Sequence, residues 1–179
     1  MKIWIIRHGQ TDWNKKGIIQ GSKDIELNET GISQAESQIE TFNKHDFDLI
    51  ISSTLKRAMK TAQIINKEKN IEIIYDKRLI ERNFGDYEGM PTTLNEEPLY
   101  NLEKNLNKNN VETAQKLYER VTSILNEVKE KYNGKKVLLV THGGTTRAIE
   151  TYFYGLNENG IMPPETIKNC EIREYEYKD

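Results

Sequence analysis

The chain has a single cysteine in 179 residues, which excludes an internal disulfide and leaves too few thiols for a cysteine-based metal site. That lone thiol, Cys170, suits a reducing compartment, and a cytoplasmic protein is the expectation. Long apolar runs are also missing. The run Ile3 to Ile6 stops at Arg7 and His8, short of the roughly 7–15 apolar residues of a signal peptide. No stretch approaches the ~20 residues of a membrane span. Neither charge sign dominates: 26 Lys and Arg against 28 Asp and Glu give a net charge of -2. No global field therefore draws the chain to nucleic acid or to an anionic membrane. A glycine-rich loop followed by lysine is absent, against a nucleotide-binding module. Three histidines and dispersed carboxylates show no ligand spacing, so neither a metal nor a cofactor is expected. Anion binding would need a local cluster of positive charge.

What is present is an alternation of short apolar runs and helical stripes. Lys2 to Arg7, Asp48 to Ser52 and Val137 to Thr141 read as buried strands, with Glu72 to Tyr75 a weaker fourth and Asn169 to Tyr177 an edge strand. Ile32, Ala35, Ile39 and Phe42 predict one helix starting near Thr30. Leu55, Ala58, Met59, Ala62 and Ile65 predict a second, with Ser53-Thr54 suited to capping it. Val111 to Tyr132 predicts the longest, ended by Asn133-Gly134, and a last helix follows Gly144. The pattern predicts one α/β domain over residues 1–179, a three-layer α/β/α arrangement around a mostly parallel sheet. Residues 90–110, with Pro91, Pro98 and six asparagines, read as a short cap insertion.

Three distant segments share a layout of strand, reactive residues and turn: Arg7-His8-Gly9, Ser52 to Arg57, and Thr141-His142-Gly143-Gly144. Ligands of open α/β sheets bind beyond the carboxyl ends of the strands. If these strands are parallel neighbours, Arg7, His8, Arg57 and His142 meet at one edge. Arg57 then lies in a first helical turn, where free N–H groups also favour an anion. Two guanidinium groups and two imidazoles there make a phosphate site. His45, in a polar run, reads as a surface residue, and Lys56 and Lys60 as solvated helix charges.

Arg7-His8-Gly9-Gln10-Thr11 with Asn14 resembles the signature of the histidine phosphatase superfamily, also called phosphoglycerate mutase-like. The similarity continues through Leu27 to Gly31 with Gln34-Ala35, Ser52 to Ala58 with Thr61-Ala62, Leu79 to Glu81 with Gly85 to Gly89, and Thr141 to Gly144. The resemblance implies that His8 is the nucleophile, that Arg7, Arg57 and His142 bind the phosphoryl oxygens, and that Glu81 is the proton donor. Asn14, Gln20 and Gly143 are candidate substrate-binding residues, and Glu88 is the second choice for the acid. The chemistry is consistent: guanidinium charges favour the neutral imidazole, and phosphoryl transfer needs positioning and charge neutralisation. One departure stands out. Where many members carry a glycine-glutamate-serine run, this chain reads Val111-Glu112-Thr113.

The leading expectation is a metal-independent phosphomonoesterase acting on a small phosphorylated metabolite through a phosphohistidine. A mutase using the same site is the alternative, as is a non-catalytic phospho-ligand module. The 90–110 segment offers only Lys104 and Lys108 against Glu96, Glu97 and Glu103, which favours the phosphatase. Trp13, Tyr87, Met90, Leu94 and Tyr100 could line a partly apolar pocket, and the Gly85 to Gly89 region resembles small α-ribazole phosphatases.

Overall fold

The computed structural model describes residues 1–93, 97–164 and 167–178. Its strands are β1 (Lys2–Arg7), β2 (Leu49–Ser52), β3 (Ile73–Tyr75), β4 (Val137–Thr141) and β5 (Ile172–Glu176). They form one sheet in the order β3-β2-β4-β1-β5, parallel except for β5, which pairs antiparallel with β1. The helices are α1 (Asp12–Lys15), α2 (Glu29–Ser37), α3 (Ile39–His45), α4 (Lys56–Ile65), α5 (Ala114–Lys131) and α6 (Gly143–Tyr154).

The near-continuous apolar runs of β1, β2 and β4 follow from burial on both faces. Ile3, Ile5, Leu49, Ile51, Val137 and Leu139 pack on α5 and α6. The alternate residues Trp4, Ile6, Ile50, Leu138 and Val140 pack on α2, α3 and α4 through Ala35, Phe42, Ala58, Ala62 and Ile65. A three-layer α/β/α arrangement results, as the sequence predicts. Register then fixes what gathers at one edge. Arg7 pairs with Thr141 and Ser52 with Val140, so His8, Ser53 and His142 all leave the sheet side by side.

Several boundaries differ from expectation, each for a local reason. The first predicted helix is two, interrupted at Gln38. The Ser37 hydroxyl donates to Gln34 O at 2.7 Å, a back-bond that competes with the helical ladder and bends it. Its start is earlier than Thr30, because Asn28 Oδ1 caps Gly31 N–H at 2.9 Å. The longest helix starts at Ala114 rather than Val111: Asn109 and Asn110 both have positive φ, and Thr113 supplies the cap. The Ser53-Thr54 pair does not cap α4. Lys56 N–H donates instead to Asp24 Oδ1 at 2.7 Å, a carboxylate delivered by a distant loop. His45 is not simply a surface residue; its half-buried ring packs on Phe47 and Trp4 at 5.3 and 5.8 Å.

Within 90–110, the described part is tied down. Leu102 N–H donates to Gly160 O, Met162 N–H to Tyr100 O, and Asn101 Nδ2 to Asn159 O. Tyr100 is the anchor: the guanidinium groups of Arg147 and Arg82 lie over its ring, at 3.5 and 4.4 Å from the centroid. Leu94 lies outside the described residues.

Candidate active site

The carboxyl ends of β1, β2 and β4 deliver His8, Arg57 and His142 to one cluster. His8 N–H donates to Thr141 O at 3.0 Å, and Ser53 N–H to Val140 O at 2.9 Å, which extends the strand registers past the sheet edge. After His8 the chain must turn in a crowded space. A side chain at Gly9 would meet Gly31 O at 2.4 Å, so only glycine fits there. Gly9 N–H is held by Thr61 Oγ1 at 3.0 Å.

The hydrogen bonds assign the tautomers of both imidazoles. His8 Nδ1 lies 2.7 Å from Gly9 O, a carbonyl that can only accept. The proton therefore sits on Nδ1, and Nε2 carries the lone pair. Arg57 Nε–H, an obligatory donor, approaches His8 Nε2 at 3.3 Å and His142 Nδ1 at 3.2 Å. With Nδ1 accepting, His142 donates through Nε2 to Ser53 Oγ at 2.7 Å. Both rings are thus held neutral by geometry. Electrostatics acts the same way: burial first, then the Arg57 and Arg7 charges, hold His8 well below its usual 6.5. Burial, then Arg57 and His8, do the same for His142.

Arg57 is the hub of the cluster and is fully buried. Its Nη1 donates to Lys23 O at 2.7 Å and its Nη2 to Gly21 O at 2.8 Å. Those carbonyls flank Ser22, which Glu88 pins: its Oε1 accepts from Ser22 N–H at 2.7 Å, Ser22 Oγ at 3.0 Å and Phe84 N–H at 3.2 Å. Glu88 is therefore a staple of the loop that orients Arg57. Burial draws the guanidinium down from 12.5 to about 10, opposed by Glu81 and Asp24, so it stays charged at neutral pH.

Glu81 sits at the N-terminus of α6. Its Oε2 accepts from Gly144 N–H at 3.0 Å, and its Oε1 from Thr145 N–H at 3.0 Å and Arg82 N–H at 2.7 Å. Gly144 allows this approach, since a side chain there would stand 2.6 Å from both Glu81 Oε1 and Tyr100 Oη.

These groups face a pocket of about 110 Å³ whose wall includes Arg7, His8, Asn14, Gln20, Arg57 and Glu81. The amides are oriented from one side. Asn14 Oδ1 accepts from Thr11 N–H at 3.1 Å, and Gln20 Oε1 lies 2.8 Å from the Thr11 hydroxyl. Their carbonyl ends being held, both NH2 ends remain for the pocket. His142 is fully buried and stands behind Arg57 rather than in the wall, and at the helix start it is Gly144, not Gly143, that borders the pocket. Of the residues expected to line it, Tyr100 does. Trp13 and Met90 are not in the wall, and Tyr87 packs against the core.

Residues that sequence reasoning passed over include Ser53, Thr61 and Thr11, which touch or orient the cluster through contacts across the fold. All three sit inside the motifs that carry the family resemblance, which is the available signal. The Glu112 side chain in the departing Val111-Glu112-Thr113 stretch pairs with Arg120 at 2.7 Å, and its carbonyl accepts from Arg82. Among the described residues no group of three or more His, Cys, Asp or Glu side chains could hold a metal ion. No described helix is long and apolar enough to cross a membrane. The Cys170 thiol is buried, which pushes it up to about 12, and its N–H donates to Arg7 O.

A mostly parallel sheet that brings two imidazoles and two guanidinium groups to one carboxyl edge defines a phosphoglycerate mutase-like α/β protein. The chain belongs to the histidine phosphatase superfamily (branch 1), whose family model matches residues 3–179. It is similar to the uncharacterized phosphatase PhoE of Bacillus subtilis, at 39% identity over 86% of this chain and 77% of that one. It is 34% identical to a putative phosphoserine phosphatase of Hydrogenobacter thermophilus, over 87% and 79% of the two chains. A probable phosphoglycerate mutase of Escherichia coli shares 30% identity over 100% and 86%. Among solved structures, the mycobacterial glucosyl-3-phosphoglycerate phosphatase complexed with VO3 superimposes with a TM-score of 0.81 at 25% identity, over 97% and 90%.

Proposed function

We propose that the chain is a phosphomonoesterase that works through a phosphohistidine on His8, within one domain whose residues 90–110 form a cap. The observation that carries this reading is the His8 Nδ1···Gly9 O bond of 2.7 Å. It leaves Nε2 unprotonated, as a nucleophile must be, with the Arg57 guanidinium beside it to hold the phosphoryl oxygens. Nε2 forms the P–N bond as the P–O bond to the leaving group breaks, and Glu81 gives its proton to the departing oxygen. Water then attacks phosphorus, its proton passes to Glu81, and the P–N bond breaks to release phosphate and restore the neutral ring. Arg7, Arg57 and the amides of Asn14 and Gln20 neutralise and orient the equatorial oxygens. His142 acts through Arg57, whose Nε–H it helps to aim.

The phosphatase is favoured over the mutase by the cap. Lys104 and Lys108 are exposed and do not reach the pocket wall, so no basic group there retains a carboxylate-bearing intermediate for a second transfer. Because arginines supply the neutralising charge, phosphate release from a panel of phosphomonoesters is expected to persist in excess chelator. Vanadate, which adopts the trigonal-bipyramidal geometry of the transition state, is expected to inhibit it strongly. Activity that returns only on adding a divalent ion would overturn the site as drawn. Cytoplasmic residence fits the buried lone thiol.

A further inference from the structure

We infer that the pocket selects phosphomonoesters whose leaving group bears no second anion, an inference that rests on the phosphatase reading. Beyond Arg7, Arg57 and His8, the wall holds the uncharged side chains of Asn14, Ile18, Ile19, Gln20, Phe84, Thr92 and Tyr100, with Glu81, Gly21 and Gly144. Every lysine and arginine of the chain falls among the described residues, and Arg7 and Arg57 are the only two in this wall. Both are needed by the phosphoryl group.

Two further guanidinium groups, those of Arg82 and Arg147, lie outside the wall and stack on the Tyr100 ring. Arg82 donates to Glu112 O at 2.6 Å and Leu99 O at 2.8 Å, and Arg147 to Met162 O at 3.1 Å. Tyr100 borders the pocket, and neither guanidinium does. A carboxylate on the leaving group would find no third cation to pair with in this wall. Burying an unpaired charge is strongly unfavourable. A neutral leaving group of hydroxyl or hydrocarbon character meets none of these penalties. This separates the chain from relatives named for phosphoserine or phosphoglycerate, whose substrates carry a carboxylate.

The test compares glycerol 3-phosphate with 3-phosphoglycerate, which differ by a hydroxymethyl group against a carboxylate, using 4-nitrophenyl phosphate as the reference substrate. The expected kcat/KM is about tenfold or more higher for glycerol 3-phosphate, the low end of what a difference in pocket contacts yields between two substrates. Thr92, exposed at the pocket rim, offers a second variable. Thr92→Lys supplies the missing cation and is expected to move the ratio of the two substrates toward one. Equal or faster turnover of 3-phosphoglycerate by the unaltered enzyme, with 4-nitrophenyl phosphate hydrolysed through His8, overturns this inference alone. Failure to hydrolyse 4-nitrophenyl phosphate overturns the phosphatase reading and this inference with it.

Discussion

Arg57→Lys is expected to lower kcat/KM by roughly 10³-fold, the lower end of the range for an arginine that stabilises phosphoryl transfer. Lysine keeps the charge but not the fork. The native guanidinium is held at four points at once: Gly21 O, Lys23 O, His8 Nε2 and His142 Nδ1. An ammonium on a flexible stem cannot reproduce that planar set, nor present its remaining N–H groups in a fixed direction. Inhibition by vanadate should weaken in parallel, because the lost contacts are made to the transition state. The substitution also strands two buried carbonyls, so a stability loss of about 1–3 kcal/mol is expected. Circular dichroism at the assay temperature separates that loss from the catalytic one. A folded Arg57→Lys enzyme within about tenfold of the original, against the 10³ expected, would show that the hub assignment is wrong.

Glu81→Gln is expected to cost about 10²–10⁴-fold on a sugar phosphate, the usual span of general-acid catalysis. Phosphoenzyme formation from a nitrophenyl ester should suffer distinctly less, because a phenolate departs with little need of a proton. Glutamine keeps an acceptor oxygen for one side of the α6 N-terminus, where Gly144 and Thr145 N–H both donate to the native carboxylate. The comparison must be made on the burst, since the same residue also activates water in the second step. Equal losses for both substrates would remove Glu81 from the acid role. Glu88 is a poor replacement, because it does not reach the pocket wall that Glu81 lines.

Which parts of this arrangement can be read from sequence follows from the range of the interactions. β1, β2 and β4 are legible because burial on both faces leaves uninterrupted apolar runs, and the residues that end them are the reactive ones. Arg7, His8 and Arg57 are legible for the same reason, since a strand end at a parallel edge has one place to point. The partners that tune them are not. Ser53 reads as a helix cap, yet its hydroxyl bonds His142, 89 residues away, and the actual cap is Asp24 from another loop. Gly143 and Gly144 are indistinguishable in a Gly-Gly pair until α6 faces Glu81. Tyr100 reads as one of several possible pocket aromatics. Its place in the wall depends on contacts made across the fold, the stacking of Arg82 and Arg147 and the bond from Met162 N–H to its carbonyl. The one-residue break at Gln38 escapes detection because the apolar stripe runs through it unchanged.

The central claim is a phosphoryl group carried on His8, and trapping it is the most direct test. The enzyme is mixed with a ³²P-labelled aryl phosphate and quenched in acid and in base within the first turnover, at pH 6 and at pH 7.5. Because burial and the Arg57 and Arg7 charges hold His8 well below its usual 6.5, protonation of the ring should not abolish the burst at pH 6. The label should survive base, be lost in acid, map to the peptide containing His8 and be missing from His8→Ala. Label that survives acid and is lost in base, or that remains on His8→Ala, would contradict the account.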